Sequence, residues 1–303
     1  MPTPLTDYEA SIIIHKGTER PFTGKYRNHY EQGLYCCRQC GSPLYRSNSK
    51  FDSHCGRPSF DDAIPGKVLM TPDSDEIRTE ITCRTCNGHL GHVFVGEQFT
   101  QTNTRHCVNS VSLVFLDENN IADTVRAQIP VYERIVLGGG CFRCVEGALS
   151  RVPGVIECRS GYMGGKYPYP RYEQVCSGQT GHIEVVQVYR DPQRVSLREL
   201  LTYFFLIHDP TSIDKQGNDV GSQYRSAIFY ETQEQKTLIT DWINHKQSEY
   251  NSPIVTQIRQ AEIFWLAEGY HQNFYATNPT KPYCQRVIKP KIEKVEETIQ
   301  SRA

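Results

Sequence analysis

The second half of the chain alternates between helical and strand-like patterns of apolar residues. Four apolar residues recur at i, i+3, i+4 and i+7, which predicts one buried face of a helix: Val145, Ala148, Leu149 and Val152. Two further helical patterns follow, at 197–208 and 233–247. Short apolar runs predict buried strands at 135–137, 184–189 and 226–230. This mixture predicts an α+β sandwich with βαβ connections, of the ferredoxin-like kind.

The first third of the chain carries a different pattern, in which short apolar or alternating runs lie between glycines. These runs are at 80–82, 92–95 and 108–115. Such runs are typical of strands, so we expect a mainly antiparallel, barrel-like β domain. A polar turn follows at 117–120. We therefore predict a first domain at 1–120, a linker at 121–132 and a second domain at 133–303.

Composition and charge narrow the class of protein. The chain has 303 residues, with 33 Lys and Arg against 34 Asp and Glu, so a nucleic-acid or membrane partner is not expected. No apolar run reaches the ~20 residues of a membrane span, and the first residues do not resemble a secretory signal. We therefore expect a cytoplasmic protein. There, 12 cysteines more often bind metal or react than form structural disulfides.

Two CxxC pairs lie in the first domain, and they are Cys37 with Cys40 and Cys83 with Cys86. Four thiolates in two such pairs suit tetrahedral zinc. The long interval between the pairs implies that the ion ties two distant hairpins together. We expect one structural Zn²⁺ and no organic cofactor.

Cys141 follows three glycines and stands where the first helical pattern of the second domain begins. A thiol at a helix N-terminus lies near unpaired amide N–H groups and the positive end of the helix dipole, and both favour the thiolate. Cys141 is therefore the candidate nucleophile of this domain. Glu184, at the mouth of a strand, is a candidate proton donor if burial raises its pKa. Asp219 and Tyr224 lie in a glycine-containing loop before a strand.

A second candidate nucleophile lies in the first domain. Cys107 begins a strand directly after Arg105 and His106, whose positive charge favours the thiolate. His89 and His92 follow the second CxxC pair, where a bound metal fixes the loop. These histidines are therefore candidates to organise a reaction.

Residues 26–117 resemble the B-type methionine sulfoxide reductase domain. The resemblance rests on both CxxC pairs and on the motifs at 51–60, 88–94 and 105–110. It implies that Cys107 is the nucleophile and that Cys55 is the resolving thiol. It also implies that His89, His92 and Asn109 organise the sulfoxide and its protons, and that the four CxxC cysteines bind zinc.

Residues 133–294 resemble the A-type methionine sulfoxide reductase. The matching motifs lie at 139–142, 172–178, 181–184, 208–211, 219–226 and 271–272. The resemblance implies that Cys141 attacks the sulfoxide sulfur and that Glu184 protonates the oxygen. It also implies that Phe142 packs against the methyl group and that three residues bind or polarise the oxygen: Tyr172, Asp219 and Tyr224.

The thiol that resolves Cys141 stays open. Cys284 lies in a C-terminal segment that is able to fold back over the site, and we favour it. Cys144 is the alternative, because it lies one helical turn from Cys141.

Both halves depart from their families at the same kind of position. Arg57 and Arg143 stand where the two families usually have Trp, which helps to enclose the sulfoxide methyl. An arginine excludes water less well than a tryptophan does, so substrate binding or the reaction rate should weaken. Alternatively, the guanidinium lowers the pKa of the nearby thiol.

These inferences predict a bifunctional enzyme. The first domain would reduce methionine R-sulfoxide and the second the S epimer, through a sulfenic acid and a disulfide that thioredoxin or a similar dithiol reopens. One alternative is a zinc-binding interaction module fused to a degenerate thiol domain. Another is a general disulfide oxidoreductase, whose CxxC pairs would titrate as dithiols.

Overall fold

The computed structural model describes residues 4–73 and 78–302, so the outer limits 1 and 303 of the two predicted domains lie outside the described residues. The chain separates into two compact units, Met1–Pro130 and Val131–Ala303. None of the described helices combines the length and the apolar character that a membrane span requires. Each unit has its own sheets and its own buried core.

The first unit is built mainly from short antiparallel strands. Its helices are α1 (Asp7–Ile13) and α2 (Asp123–Arg126). Its strands are β1 (Gly33–Cys37), β2 (Pro43–Arg46), β3 (Lys50–Phe51), β4 (Ser59–Phe60), β5 (Val68–Pro72), β6 (Thr79–Cys83), β7 (His89–Val95), β8 (Thr104–Val108) and β9 (Leu113–Asp117). Within the described residues they form two sheets, in the orders β2-β1-β9 and β3-β4-β8-β7-β6-β5. Every described strand pair in this unit is antiparallel, as expected.

The single strand predicted at 108–115 is wrong. A short 3-10 turn at Ser110–Ser112 ends β8 and begins β9, which belongs to the other sheet. The amide N–H of Ser110 donates to the Glu19 carboxylate at 2.6 Å, and the Ser112 hydroxyl donates to the His89 carbonyl at 2.9 Å. These bonds to distant residues replace strand pairing, so the apolar run changes sheets.

The second unit mixes helices and strands. Its helices are α3 (Phe142–Leu149), α4 (Tyr172–Cys176), α5 (Leu197–Leu206), α6 (Gln233–Lys246), α7 (Phe274–Thr277) and α8 (Lys289–Gln300). Its strands are β10 (Glu133–Gly139), β11 (Val155–Met163), β12 (Ile183–Arg190), β13 (Lys215–Gln216), β14 (Asp219–Val220), β15 (Ser226–Tyr230), β16 (Gln257–Gln260) and β17 (Trp265–Leu266). The main sheet has the order β16-β15-β10-β12-β11-β17.

The predicted βαβ connection is confirmed in a split form. Strand β12 pairs antiparallel with both β10 and β11, so β10 and β11 run parallel with β12 between them. Helix α3 makes the crossover and packs its apolar face into the largest core of the unit, where Val145, Ala148 and Leu149 are buried. The predicted helices at 197–208 and 233–247 are confirmed as α5 and α6. Ser196 and Thr232 cap their N-termini with side-chain oxygens.

Candidate active sites

Cys141 caps the N-terminus of α3, as the sequence predicts. The preceding Gly140 has φ +89, and a Cβ there would lie 2.7 Å from Gln216 Cβ. Only glycine makes this turn without strain, so the glycine run delivers the thiol from the end of β10 to the start of the helix. Cys141 is 9% exposed, and the first amides of α3 lie beside it. The site is therefore enclosed, and the helix N-terminus adds a local positive potential to it.

Glu184 lies in β12 and contacts the start of the same helix. The Phe142 N–H donates to Glu184 Oε2 at 3.1 Å, and Oε1 is buried without a hydrogen-bond partner among the described residues. Burial, together with the charge of Cys141, raises the pKa of Glu184 well above its ordinary value. The side chain is 1% exposed, so burial favours its neutral, proton-carrying form and leaves one oxygen free for a ligand.

The structure brings three more predicted residues to Glu184. Burial and the Glu184 charge raise the pKa values of Tyr172 and Tyr224, so both phenols stay protonated and able to donate. Burial raises the pKa of Asp219, whose charge in turn raises that of Glu184. The Phe142 and Tyr172 rings stack with their centroids 6.3 Å apart. An apolar wall and several proton donors therefore surround one buried thiol.

Cys144, rather than Cys284, is the cysteine that contacts Cys141. The hydrogen bond with Cys141 lowers the pKa of Cys144 to about 7, and the same bond, with burial, raises the pKa of Cys141. The pair therefore loses one proton near neutral pH and holds the second. Tyr283 Oη lies 3.6 Å from Cys144 Sγ. Cys284 is 0% exposed in the π-helical turn Cys284–Ile288 and packs in the core.

Arg143 is fixed by His271, a residue 128 positions away in the sequence. The Arg143 Nε and Nη2 both lie within hydrogen-bond distance of His271 Nδ1, at 3.0 and 2.7 Å. Burial and the guanidinium charge lower the pKa of His271 to about 3, so the imidazole is neutral and accepts. Its ring centroid lies 4.8 Å from that of Phe142 and 4.4 Å from that of Tyr172. The arginine therefore borders the aromatic wall of the site.

The two CxxC pairs form one compact group in the first unit. The sulfurs of Cys37, Cys40, Cys83 and Cys86 all lie within 4.8 Å of one another. The Cys37–Cys86 and Cys40–Cys83 sulfur distances are both 3.6 Å. A tetrahedral ion with Zn–S bonds of about 2.3 Å requires sulfurs roughly 3.8 Å apart, so the cluster is compatible with one zinc ion. Its first cysteine ends β1 and its third ends β6, which belong to different sheets.

Cys107 lies in β8 with its sulfur 3.6 Å from that of Cys55. The hydrogen bond from Cys107 lowers the pKa of Cys55 to about 4, and the same bond, with burial, raises the pKa of Cys107. The pair loses its first proton readily and its second only with difficulty. The charges of Arg105 and Arg57 also favour a thiolate at Cys107. The first unit therefore contains a second thiol pair, in which the charge is favoured on one thiol and the proton on the other.

His89 and His92 lie beside this pair on β7. His92 stands directly across from Cys107 in the β7–β8 register, and its Nε2 lies 2.8 Å from Asp73 Oδ2. His89 Nδ1 lies 2.8 Å from Glu80 Oε1, and its Nε2 is buried without a partner among the described residues. The imidazoles are thus oriented by carboxylates.

Two neighbours of Cys107 make contacts that the sequence did not reveal. The Asn109 side chain accepts the Glu19 N–H at 3.0 Å and donates to the Leu90 carbonyl at 3.2 Å, so it mainly holds main chain. The expectation that the charge of His106 favours a thiolate at Cys107 stays a prediction. His106 alternates with Cys107 to the other face of β8, where its Nδ1 lies 3.3 Å from Tyr45 Oη.

Arg57 is fixed in the way that Arg143 is. Its Nε and Nη2 both donate to the Glu19 carbonyl, at 2.9 and 2.7 Å. The Glu19 carboxylate accepts the Ser110 N–H, which joins the N-terminal segment to the strand that carries Cys107. Both arginines therefore use the same two nitrogens on a single acceptor.

Sequence reasoning missed the residues that hold the candidate side chains in place. His271 stood in a motif of the resemblance without a role, and Tyr283 preceded a favoured cysteine. Glu19 and Glu80 carried no local signal, because each contacts its partner through the fold.

Comparisons with known proteins agree with the two-unit division of the chain. The family model described as peptide methionine sulfoxide reductase matches residues 133–303, and the SelR domain matches residues 5–117. Peptide methionine sulfoxide reductase MsrA of Campylobacter jejuni is 51% identical over 164 residues, which cover 54% of this chain and 98% of that protein. The MsrA of Sulfolobus acidocaldarius is 49% identical over 162 residues, which cover 54% and 92%. The reduced form of Mxr1 from Saccharomyces cerevisiae is 34% identical with a TM-score of 0.48, and the match covers 50% of this chain and 89% of that one.

Proposed function

Because the chain belongs to the peptide methionine sulfoxide reductase family, we propose that Cys141 and Cys107 are the nucleophiles of two separate reductions of methionine sulfoxide. The chain is an oxidoreductase that reduces methionine sulfoxides of both hands. The S epimer is assigned to the second unit and the R epimer to the first. The observation that carries this proposal is the pairing of each candidate nucleophile with a second thiol inside a buried site.

In the second unit, Cys141 attacks the sulfoxide sulfur while its proton passes to the Cys144 thiolate through their hydrogen bond. Glu184 donates its proton to the sulfoxide oxygen, and Tyr172, Tyr224 and Asp219 bind that oxygen. The thioether leaves, and the oxygen remains on Cys141 as a sulfenic acid. Phe142 gives the methyl group an apolar surface. The raised pKa of Glu184 makes it a proton donor at neutral pH.

The disulfide then forms between Cys141 and Cys144. The Cys144 thiol attacks the sulfenic sulfur, the S–S bond forms, the S–O bond breaks and water leaves. Cys144 is favoured over Cys284 because it already hydrogen-bonds to Cys141, whereas Cys284 is buried in a separate turn.

The first unit follows the same sequence with other residues. Cys107 attacks the sulfur as its proton passes to Cys55, and Cys55 later closes the disulfide across the present 3.6 Å. His89 is assigned to the sulfoxide oxygen, because its Nε2 is buried and free of partners among the described residues; the proton it donates there is that of the imidazolium, whose Nδ1–H is held by Glu80. His92 orients the sulfoxide from across the β7–β8 register, and Asn109 holds the main chain around the thiol.

Both disulfides need an external dithiol for the next turnover, and we assign this role to thioredoxin or a similar protein. The four-cysteine cluster is assigned a structural zinc ion, because its sulfur distances match tetrahedral coordination. Such an ion would tie β1 to β6 and thereby hold the loop that begins β7. We also propose a first domain at 1–120, a linker at 121–132 and a second domain at 133–303. The second domain is proposed to be ferredoxin-like.

Epimer-resolved turnover tests the assignment. We expect Cys141→Ser to abolish reduction of the S epimer with thioredoxin while the R epimer is still reduced, and Cys107→Ser to give the reverse. Cys158→Ser is a matched control, since Cys158 is buried in β11 and lies outside both pairs. If neither substitution changed the reduction of its own epimer, a zinc-binding module fused to a degenerate thiol domain would be the better description.

A further inference from the structure

The charges of Arg57 and Arg143 act on nearby acids and thiols, Arg57 on Glu19 and Cys107 and Arg143 on Glu146 and Glu184. Neither guanidinium forms an ion pair within the described ranges 4–73 and 78–302. Arg105, for comparison, is paired with Glu97 at 2.6 Å. Each unpaired arginine is half-buried and uses Nε and Nη2 on one neutral acceptor. Their Nη1 groups make no hydrogen bond to described residues.

The acids around Arg143 hydrogen-bond to groups other than its guanidinium. Burial raises the pKa of Glu146 to about 8 and that of Glu184 well above its ordinary value, so burial favours the neutral form of both carboxyls. Glu268 uses its two carboxylate oxygens on the Tyr162 hydroxyl and the Tyr172 N–H, at 2.8 and 2.9 Å. A half-buried cation without a direct ion-pair partner is costly, and the cost falls when a ligand supplies that partner.

Arg143 lies beside the aromatic residues of the candidate site. Its guanidinium carbon lies 4.2 Å from the Phe274 ring centroid and 5.9 Å from that of Tyr172. His271, which fixes it, touches the same two aromatic residues that border Cys141. The planar group is therefore rigid, and a planar, fixed guanidinium is well suited to bind a carboxylate.

We propose that Arg143, and Arg57 in the other unit, bind a carboxylate that lies close to the oxidised methionine in the substrate. This inference rests on the proposed function and adds the class of substrate. Two sources supply that chemistry: the α-carboxylate of free or C-terminal methionine sulfoxide, and an acidic side chain next to methionine sulfoxide in a protein. A tryptophan at either position would contact only the apolar methyl group of the substrate. The arginines would therefore determine specificity for substrates that carry a carboxylate.

The test compares substrates that differ only in charge. For the S epimer they are N-acetyl-methionine sulfoxide and its amide, and two blocked peptides with Glu or Gln beside the sulfoxide. We expect kcat/KM to favour the charged member of a pair by about tenfold, as a hydrogen-bonded, partly buried charge pair gives. Arg143→Gln should bring this ratio close to one, and Arg143→Lys should restore part of it. High salt should reduce the ratio.

Arg198→Gln is the matched control, because Arg198 is an exposed arginine on α5 and should leave the ratio intact. Arg57→Gln should reduce the corresponding ratio for R-epimer substrates. A preference for the acetylated acid identifies the α-carboxylate as the source, and a preference for the Glu peptide identifies a side chain. Equal rates for charged and neutral substrates, or a preference that survives Arg143→Gln, would overturn this inference alone. If no sulfoxide were reduced, the proposed function would fail with it.

Discussion

The amide N–H of Phe142 donates to Glu184 Oε2 at 3.1 Å, and this bond ties the start of the nucleophile's helix to the acid. One carboxyl oxygen is thereby fixed beside Cys141, while Oε1 has no partner among the described residues. Phe142 and Glu184 are 42 positions apart in the sequence. Their hydrogen bond explains how Glu184 of β12 comes to lie beside Cys141, the residue before Phe142.

Glu184→Gln should slow reduction of the S epimer by about 10²- to 10⁴-fold, the usual range for loss of a general acid. Glutamine keeps an oxygen for the Phe142 N–H but has no proton to donate. Because the pKa of Glu184 is raised, the wild-type acid is active at low and neutral pH and is lost as pH rises through that value. The measurement is kcat against pH. The wild-type value should fall on the alkaline side, and the variant should not show this fall. An unchanged profile would remove Glu184 from the reaction.

Cys144→Ser should block turnover with thioredoxin and still allow one methionine to form per protein in a single turnover. The reason is that Cys141 still becomes a sulfenic acid, at a lower rate because the Cys144 thiolate no longer takes its proton, and then has no neighbouring thiol to form the disulfide. Cys284→Ser should reduce turnover much less. Rapid-quench product counts and mass spectrometry of the disulfide distinguish the two variants. A Cys141–Cys284 disulfide in the wild-type protein would contradict the assignment and restore the first expectation.

Cys37→Ser should lower the zinc content from one ion to less than one and destabilise the first unit strongly. Structural zinc sites supply about 10 kcal/mol or more to small domains. Cys36→Ser is the matched control, because Cys36 is the adjacent buried cysteine and lies outside the four-sulfur cluster. Metal analysis, sulfur coordination by X-ray absorption and thermal melting measure the outcome. Equal zinc content in both variants would refute the ligand set.

The second unit should lose stability in acid through His208. Its Nδ1 lies 2.7 Å from the Phe204 carbonyl and its Nε2 lies 2.8 Å from the Ser226 hydroxyl. Burial lowers the pKa of His208 to about 4, below the ordinary 6.5, so the folded state favours the neutral ring. Its contribution is complete above pH 6.5 and is lost as pH falls to 4, which amounts to about 3 kcal/mol.

His208→Gln removes this titration, so the free energy of unfolding should fall less steeply between pH 6.5 and 4 than in the wild type. Denaturant unfolding at several pH values measures the slope. Parallel slopes in the two proteins would show that another group controls the acid transition. The absolute stability of the variant is not the readout, because glutamine also changes the packing.

The local parts of both sites were accessible from the sequence. The CxxC spacing marked a four-sulfur cluster, and a glycine run before a helical pattern placed Cys141 at a helix N-terminus. Strand alternation alone was enough to set His106 on the face opposite Cys107, a point that the charge argument overlooked. The break between β8 and β9 was not accessible, because it depends on bonds from Ser110 and Ser112 to distant residues.

The sequence by itself determined the reactive elements, because thiol spacing, helix periodicity and glycine turns act within a few residues. Helical spacing already offered Cys144 as a partner of Cys141, but only the tertiary structure decided two other contacts: His271 on Arg143 and Glu19 on Arg57. The last two contacts join residues 128 and 38 positions apart. Such contacts depend on strand register and core packing over the whole unit, and no local pattern of residues encodes them.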